Sequence, residues 1–362
     1  MRIAYLSPQY LPVHGGVERH VSSIARRAMA AGHDVEVITQ TIDRAAPSSE
    51  TVDGVPVRRF RALNGSAAYG VPPALFAWIA REGRGFDLIH AHGYHALPAL
   101  AALTTRTVPV VFTPHYHGDG HTPFARALHV AYRPFGRRLF QRAGAVVCVS
   151  GAERGLVAAA FPRVADRIHV IPNGVEARPA AAVMPFPCRG PLVLSVGRLA
   201  GYKRVSLLVK AVAELPPDVR LVIVGDGPGR AEVERTAAER GVEHRVDMLG
   251  RVSDGELARW FATADVVASL SLHEAFGITL AEGAAAGAAV VASNIAAHAE
   301  VAELLPKATL VPVTAGAGAV ADALRLAINA GRPLRAAVVP TWDDVAGRTI
   351  DLYRSLVDRS AA

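Results

Sequence analysis

The stretch "DVVASLSLHEAFGITLAEGAAAGAAVVAS" (265–293) changes its hydrophobic period twice. Residues 265–270 are an apolar, β-branched run, 277–287 are mostly small residues and helix formers, and 289–293 are β-branched again. That order predicts strand, helix, strand, the crossover unit of a parallel sheet. Inside it, Glu274 and Glu282 stand among small and apolar neighbours. On one continuous helix, turning roughly 100° per residue, they would point about 80° apart. A loop followed by a helix starting near Phe276 or Gly277 fits better, with Glu274 in the loop and Glu282 in the helix. Both then face one ligand beyond the helix N-terminus. Carboxylates accept paired hydroxyl hydrogen bonds, as sugars and ribose offer. The plainer alternative is a capping acid at 274 and a solvent-facing helical acid at 282.

The same alternation runs along the chain. Strand candidates fall at 2–7, 34–39, 55–60, 86–91, 108–113, 145–150 and 167–172, then at 192–197, 220–225, 245–249, 265–270 and 289–293. Helix-length segments, such as 16–31, 122–142, 203–215, 253–263 and 277–287, separate most of them. Apolar strands alternating with helices predict parallel sheets covered on both faces. The pattern pauses at "PNGVEARPAAAVMPFPCRGP" (172–191), whose prolines suit a linker. The expected class is therefore α/β, with two Rossmann-like, doubly wound parallel-sheet domains facing across a cleft. Their expected bounds are 1–172 and 191–340, with a linker at 173–190. Residues 341–362 read as a last helix, with Val345, Ile350, Leu352, Tyr353 and Leu356 roughly on one side.

Bulk properties narrow the function. A chain of 362 residues, 51% hydrophobic and 20% charged, suits two globular cores. Its net charge of +7 is uneven: residues 1–172 carry +8 and the remainder −1. A basic first half points to an anionic partner, although a general preference for Arg explains it equally well. Cys148 and Cys188 indicate no disulfide framework, and Cys148 sits in a core-like run. The first residues lack the long apolar run of a signal peptide, and no uninterrupted run is long enough to span a bilayer. A cytoplasmic location is expected, with any membrane contact peripheral.

In open α/β sheets ligands bind beyond the carboxyl ends of strands, and several informative residues lie there. After the first strand, Gly15 and Gly16 open a helix, where backbone can approach an anion closely. In "VGRLAGYKR", Arg198 and Lys203 flank a loop leading into a helix, as a diphosphate leaving group requires; two solvated surface charges are the alternative. "LVIVGDGPGR" (221–230) lacks dinucleotide-fingerprint spacing and reads as a tight turn. Eleven of the 14 histidines precede residue 173, with "HAHGYH" (90–95) and "TPHYHGDGH" (113–121) after strands. A zinc site is the alternative, because His and Asp are zinc ligands, but no dedicated metal-ligand spacing appears among them; substrate contact by one or two, with the rest structural, is the expectation, and no metal is assigned. No Asp-x-Asp element is present either, which leaves Arg198 and Lys203 to neutralise a diphosphate.

Together "GGVERHV", "VIPNGV", "SVGRLAGYKRV", "VGDGP" and "EAFGITLAEGAAAGAAVVAS" resemble, in order and spacing, the retaining nucleotide-sugar-dependent glycosyltransferases of GT-B fold, family 4, often called group 1. The resemblance covers nearly the whole chain, and the Glu-x7-Glu element is its most specific part. It implies that Gly16 lies against the donor phosphate and that Arg198 and Lys203 bind the diphosphate. Glu274 would hold donor-sugar hydroxyls and Glu282 the ribose hydroxyls, while Ala275, Phe276, Gly277 and Ile278 line the sugar and phosphate. "FTPHYHG" resembles the segment with the active-site histidine; His115 is the better match and His117 the second. The last helix would cross back to the first domain.

The implied reaction transfers a sugar from a UDP- or GDP-sugar to a hydroxyl acceptor with retention, no cofactor and no required metal; nucleic acid is not an expected partner. Segment 125–144 mixes Arg126, Arg133, Arg137, Arg138 and Arg142 with Leu128, Val130, Phe135, Leu139 and Phe140. Such a basic amphipathic segment suits an anionic membrane and a lipid-linked acceptor. A core helix with a solvated basic face is the alternative, and a soluble acceptor stays open. Sugar-nucleotide 2-epimerases share the architecture, and a non-catalytic sugar-nucleotide-binding protein is the other reading; Glu-x7-Glu argues against the epimerase. A pyridoxal-phosphate phosphorylase fits less well, because only Lys203, Lys210 and Lys307 are present and none has a Schiff-base setting.

Overall fold

The structure is a computed structural model describing residues 1–64, 70–118, 123–176, 183–333 and 337–361; side chains at 123–129, 131 and 361 are not described. It divides into unit 1, Met1–Asn173 with Trp342–Ala362, and unit 2, Gly174–Thr341.

Unit 1 is built on strands β1 (Arg2–Ser7), β2 (Asp34–Thr41), β3 (Ser49–Val52), β4 (Val55–Arg61), β5 (Leu88–His92), β6 (Val110–Thr113), β7 (Ala145–Cys148) and β8 (Ile168–Val170). They form one sheet in the order β3-β4-β2-β1-β5-β6-β7-β8, parallel throughout except for the β3–β4 hairpin. The helices are α1 (Gly16–Ala30), α2 (Pro73–Glu82), α3 (Pro123–Arg142), α4 (Gly151–Ala160) and, from the far end of the chain, α11 (Trp342–Ala361). Helix α1 buries Val21, Ile24, Ala25 and Ala28, a stripe at helical spacing. Helix α11 buries Trp342, Val345, Ile350, Tyr353 and Leu356. Its Tyr353 hydroxyl lies 2.5 Å from Nδ1 of His90 in β5 and donates to the Tyr5 hydroxyl in β1 at 3.3 Å.

Unit 2 carries β9 (Leu192–Val196), β10 (Arg220–Val224), β11 (Val246–Gly250), β12 (Val266–Ser269), β13 (Ala289–Ser293) and β14 (Ala308–Val311). The helices are α5 (Val205–Ala213), α6 (Arg230–Glu239), α7 (Asp254–Thr263), α8 (Ile278–Ala285), α9 (Ala296–Glu303) and α10 (Ala317–Asn329). All strand pairs are parallel, in the order β11-β10-β9-β12-β13-β14. The direction in which successive strands are added reverses between β9 and β12, so the loops after these strands flank the switch point where such sheets bind ligands. In unit 1 the reversal falls between β1 and β5.

Both sheets match the doubly wound α/β class read from the sequence, and every strand candidate contains a strand. Two strands escaped that reading. β3, "SETV", is polar, half-exposed and at a sheet edge; β14 is a short edge strand with one fully buried residue. The proline-rich segment is more ordered than a free linker where described. Phe186 packs on Trp260 of α7 with ring centroids 4.4 Å apart, under the Arg259 guanidinium at 3.8 Å. Val175 pairs with Thr341 in a parallel bridge. Residues 177–182 lie outside the described residues.

The structure divides the basic segment 125–144 between core and surface. Leu139 and Phe140 belong to the core of unit 1, Phe140 stacking on Phe161 at 4.2 Å, whereas Val130 and Phe135 are 74% and 49% exposed. The side chains of Arg126 and Leu128 lie outside the described set.

Candidate functional site

In unit 2 two loops meet at the switch point. The first follows β9: Gly197, Arg198, Leu199 and Ala200 lead into a single turn at Gly201–Lys203, and Arg204, at φ 55°, caps α5. The "VGDGP" turn braces it. The Leu199 amide donates to the Asp226 carbonyl at 3.0 Å, and the Gly229 amide to the Leu199 carbonyl at 2.8 Å. Gly225 has φ 132°, and a Cβ there would lie 2.0 Å from the Gly197 carbonyl oxygen. These glycines hold two backbones in contact, so the motif is structural bracing and not a nucleotide fingerprint.

The second loop follows β12. Ser271 turns it by donating to the His273 carbonyl at 2.9 Å, and the Leu272 amide donates to the Tyr202 carbonyl at 2.9 Å, joining the loops. Lys203 then donates its Nζ hydrogen to Glu274 Oε1 in a short ion pair, both side chains about one-fifth exposed. Ala275 is half-buried and Phe276 buried; Gly277, at φ 109°, caps α8, whose first residue is Ile278. The cap uses no side chain, so the amides of the first turn retain their partial positive charge. Glu282 lies inside α8, 8% exposed. Arg198 is exposed on the first loop. A cation, a carboxylate and a helix N-terminus, contributed by Lys203, Glu274 and α8, thus lie on the loops where two strands end, an arrangement suited to an anion carrying a polyhydroxyl group.

One neighbour was not legible in the sequence. His298 of α9 is fully buried, with its Cδ2 3.2 Å from where a Gly277 Cβ would lie and its Nδ1 3.0 Å from the Ser293 carbonyl. Burial pushes its imidazole below the ordinary range, and the Glu274 carboxylate pulls the other way. No spacing marks it, since β13 and its turn separate it from the Glu-x7-Glu element.

In unit 1, Gly15 is the extended cap of α1 and Gly16 its first residue. His115 follows β6 and Pro114 with φ 48°, an uncommon conformation for a side-chain-bearing residue. Its ring lies 5.1 Å from His20 of α1 and 5.8 Å from His92 at the end of β5. His117 stacks on His95 with ring centroids 5.1 Å apart. The two candidate histidines therefore occupy different surroundings. Burial holds His20, His92 and His115 neutral, with His20 pushed down to about 4.

Glu153 of α4 anchors the His115 loop. Its carboxylate accepts from the Tyr116 amide at 2.5 Å and the Val149 amide at 2.6 Å, while its own amide donates to Ser150 Oγ at 2.9 Å. Burial pushes the carboxyl up to about 8 against the pull of the two amides. The capping-box spacing of Ser150 and Glu153 is the signal that marks this residue in the sequence.

Comparison with known proteins identifies the chain. The family model for Glycosyltransferase Family 4 matches residues 14–178, and that for Glycosyl transferases group 1 matches residues 182–339. The chain is similar to the phosphatidyl-myo-inositol mannosyltransferase of Mycobacterium tuberculosis, at 31% identity over 100% of this chain and 98% of that one. It is also similar to the D-inositol 3-phosphate glycosyltransferase of Xylanimonas cellulosilytica, at 29% identity over 81% and 80%. Among solved structures, the sucrose-phosphate synthase of Thermosynechococcus elongatus superposes with a TM-score of 0.80 over 99% of both chains, at 22% identity, and shares the fold. The chain thus belongs to glycosyltransferase family 4, the group 1 transferases of GT-B fold, which move glycosyl groups from nucleotide-sugar donors.

Proposed function

We propose that this glycosyltransferase retains anomeric configuration, needs no divalent ion for donor chemistry, and glycosylates a hydroxyl of a lipid-linked acceptor. The observation that carries the donor half is the Lys203–Glu274 pair at the switch point of unit 2. A cation and a carboxylate already in contact can each be offered to an adjacent part of one ligand. Lys203 and Arg198 take the diphosphate oxygens, assisted by the first-turn amides of α8 and by Ala275–Ile278. Glu274 takes hydroxyls of the transferred hexose, and Glu282 those of the ribose. Gly16 allows backbone to approach the phosphate.

The bond from the anomeric carbon to the diphosphate breaks as positive charge develops on the sugar. Fixed cations stabilise the negative charge leaving on the phosphate, often the largest contribution in such reactions. The acceptor oxygen attacks from the face the phosphate leaves, and its proton passes to the departing phosphate oxygen. His115 contacts the acceptor side, with His117 as the second candidate. Fixed cations replace a metal because no Asp-x-Asp element is present to hold one against the diphosphate.

The lipid half rests on α3, where exposed Val130 and Phe135 neighbour exposed Arg133, Arg137 and Arg138. Apolar side chains ringed by guanidinium groups suit an anionic bilayer surface. No helix among the described residues is long and apolar enough to cross a membrane, and the contact we propose is peripheral. The similarity to the mycobacterial phosphatidyl-myo-inositol mannosyltransferase supports the same class of acceptor. A thermal-shift panel of UDP-, GDP- and ADP-sugars in EDTA tests the donor reading. One donor should raise Tm in wild type and not in Lys203→Ala. Turnover strictly dependent on added Mg2+ or Mn2+, or an inverted product by NMR, overturns the scheme. Flotation with anionic but not zwitterionic liposomes, weakened in Phe135→Ser, tests the lipid half; equal flotation of both proteins overturns it.

A further inference from the structure

We propose that His20, His92 and His115 of unit 1 form a binding site for one divalent transition-metal ion of the zinc, cobalt and nickel class. The three residues come from the middle of α1, the last position of β5 and the loop after β6. Each offers one ring nitrogen, and these nitrogens all lie within 4.8 Å of one another. Ligands on a tetrahedral Zn2+, at about 2.0–2.1 Å from the metal, stand roughly 3.4 Å apart, so modest ring rotations close the set.

Two observations separate this cluster from ordinary buried histidines. His90, whose ring lies 4.0 Å from that of His92, is equally buried, and both its nitrogens are satisfied: Nδ1 by Tyr353 at 2.5 Å and Nε2 by Thr113 at 2.7 Å. His20 Nε2, His115 Nε2 and both nitrogens of His92 are buried and have no hydrogen-bond partner among the described residues. Buried polar atoms left in this way are uncommon and need an explanation. The second observation is His20 Nδ1, 2.7 Å from Asn173 Oδ1. Asn173 Oδ1 accepts the Nδ1 hydrogen, which fixes the tautomer and turns the Nε2 lone pair toward the cluster, as outer-shell groups orient metal-bound imidazoles. Imidazole donors without thiolates suit zinc, cobalt or nickel over the harder calcium or magnesium. Three protein ligands leave a fourth position open.

The site is built from residues of unit 1 alone, and its existence does not rest on the proposed mechanism. Its consequence does: an ion on His115 Nε2 withdraws that nitrogen from an acceptor hydroxyl and so inhibits transfer.

Titration of tag-free protein with Co2+ tests the site directly. One ion per chain is expected, with the intense visible absorption of four-coordinate cobalt, displaced by Zn2+. X-ray absorption on the zinc form of the wild type should count three imidazole nitrogens, whether or not any variant folds. His92→Ala should abolish binding, and Asn173→Ala should weaken it by about 10–100-fold. His14→Ala and His244→Ala, at exposed histidines, should retain it. Binding that survives in folded His92→Ala, fewer than two imidazole ligands, or no ion bound above the level of a surface histidine overturns the proposal.

Discussion

Lys203 and Glu274, 71 positions apart in the chain, form a single ion pair where the loops after β9 and β12 meet. The pair closes the ends of two adjacent strands and leaves a cation and a carboxylate side by side at the surface of unit 2. A partly exposed pair of this kind contributes on the order of 1 kcal/mol or less to stability. Its two charges are worth far more against a ligand with developing charge. Lys203→Ala should therefore keep a native circular-dichroism spectrum and a Tm close to wild type while lowering kcat by about 10²–10³-fold. A fall in Tm as large as that of a core variant, with kcat preserved per folded molecule, would assign the pair to the scaffold.

Two glycines in the recognised motifs should behave in opposite ways. A Cβ added at Gly16 meets nothing within 4 Å, and the residue is the first of α1, so Gly16→Ala should fold at least as well as wild type. If backbone at this position lies against the donor phosphate, the same methyl raises the donor KM or lowers kcat. At Gly225 a Cβ would strike the Gly197 carbonyl, at a φ that side chains rarely adopt. Gly225→Ala should cost on the order of 3 kcal/mol or more, read from urea unfolding. Equal stability of the two variants would contradict the bracing role of the "VGDGP" turn.

Glu153 sets a pH dependence. Its carboxyl is pushed from 4.5 up to about 8 in the folded chain. Between those values the folded state holds one more proton than the unfolded state, so stability falls as pH rises through this window. The contribution is fully present below about pH 4.5 and gone above about pH 8. Glu153→Gln has no such titration, so its Tm should fall less between pH 5 and pH 8 than that of wild type. Its amide group can accept only one of the two backbone hydrogens, so the variant should also be less stable overall at pH 5. Parallel Tm curves for the two proteins across this range would show that Glu153 does not titrate there.

Tyr353 ties the last helix to the unit 1 sheet through His90. Tyr353→Phe removes the hydroxyl from His90 Nδ1 and leaves a buried ring nitrogen without its partner, at a cost of about 1–3 kcal/mol. Hydrogen exchange should show faster opening of α11 while the amides of β9–β14 in unit 2 keep their protection. Unchanged exchange in α11 would mean that Trp342 and the apolar stripe anchor it unaided.

Much of this molecule is written in local pattern. Strand and helix periods, the switch from one to the other around Glu274, and the turn chemistry of the glycine motifs depend on neighbours a few residues away, so the chain itself determined the two doubly wound sheets and the loop-then-helix setting of Glu274 and Glu282. The edge strands β3 and β14 escaped because their burial patterns are weak. Only the tertiary structure decided which distant groups meet. Strand order carries His92 and His115 to the same edge, α1 lays His20 over them, and Asn173, 153 positions away, fixes the His20 ring. The same packing satisfies His90 and leaves its neighbour's nitrogens unpartnered. No spacing encodes that outcome, because parallel sheets join residues through crossovers whose length is independent of the side chains that finally touch.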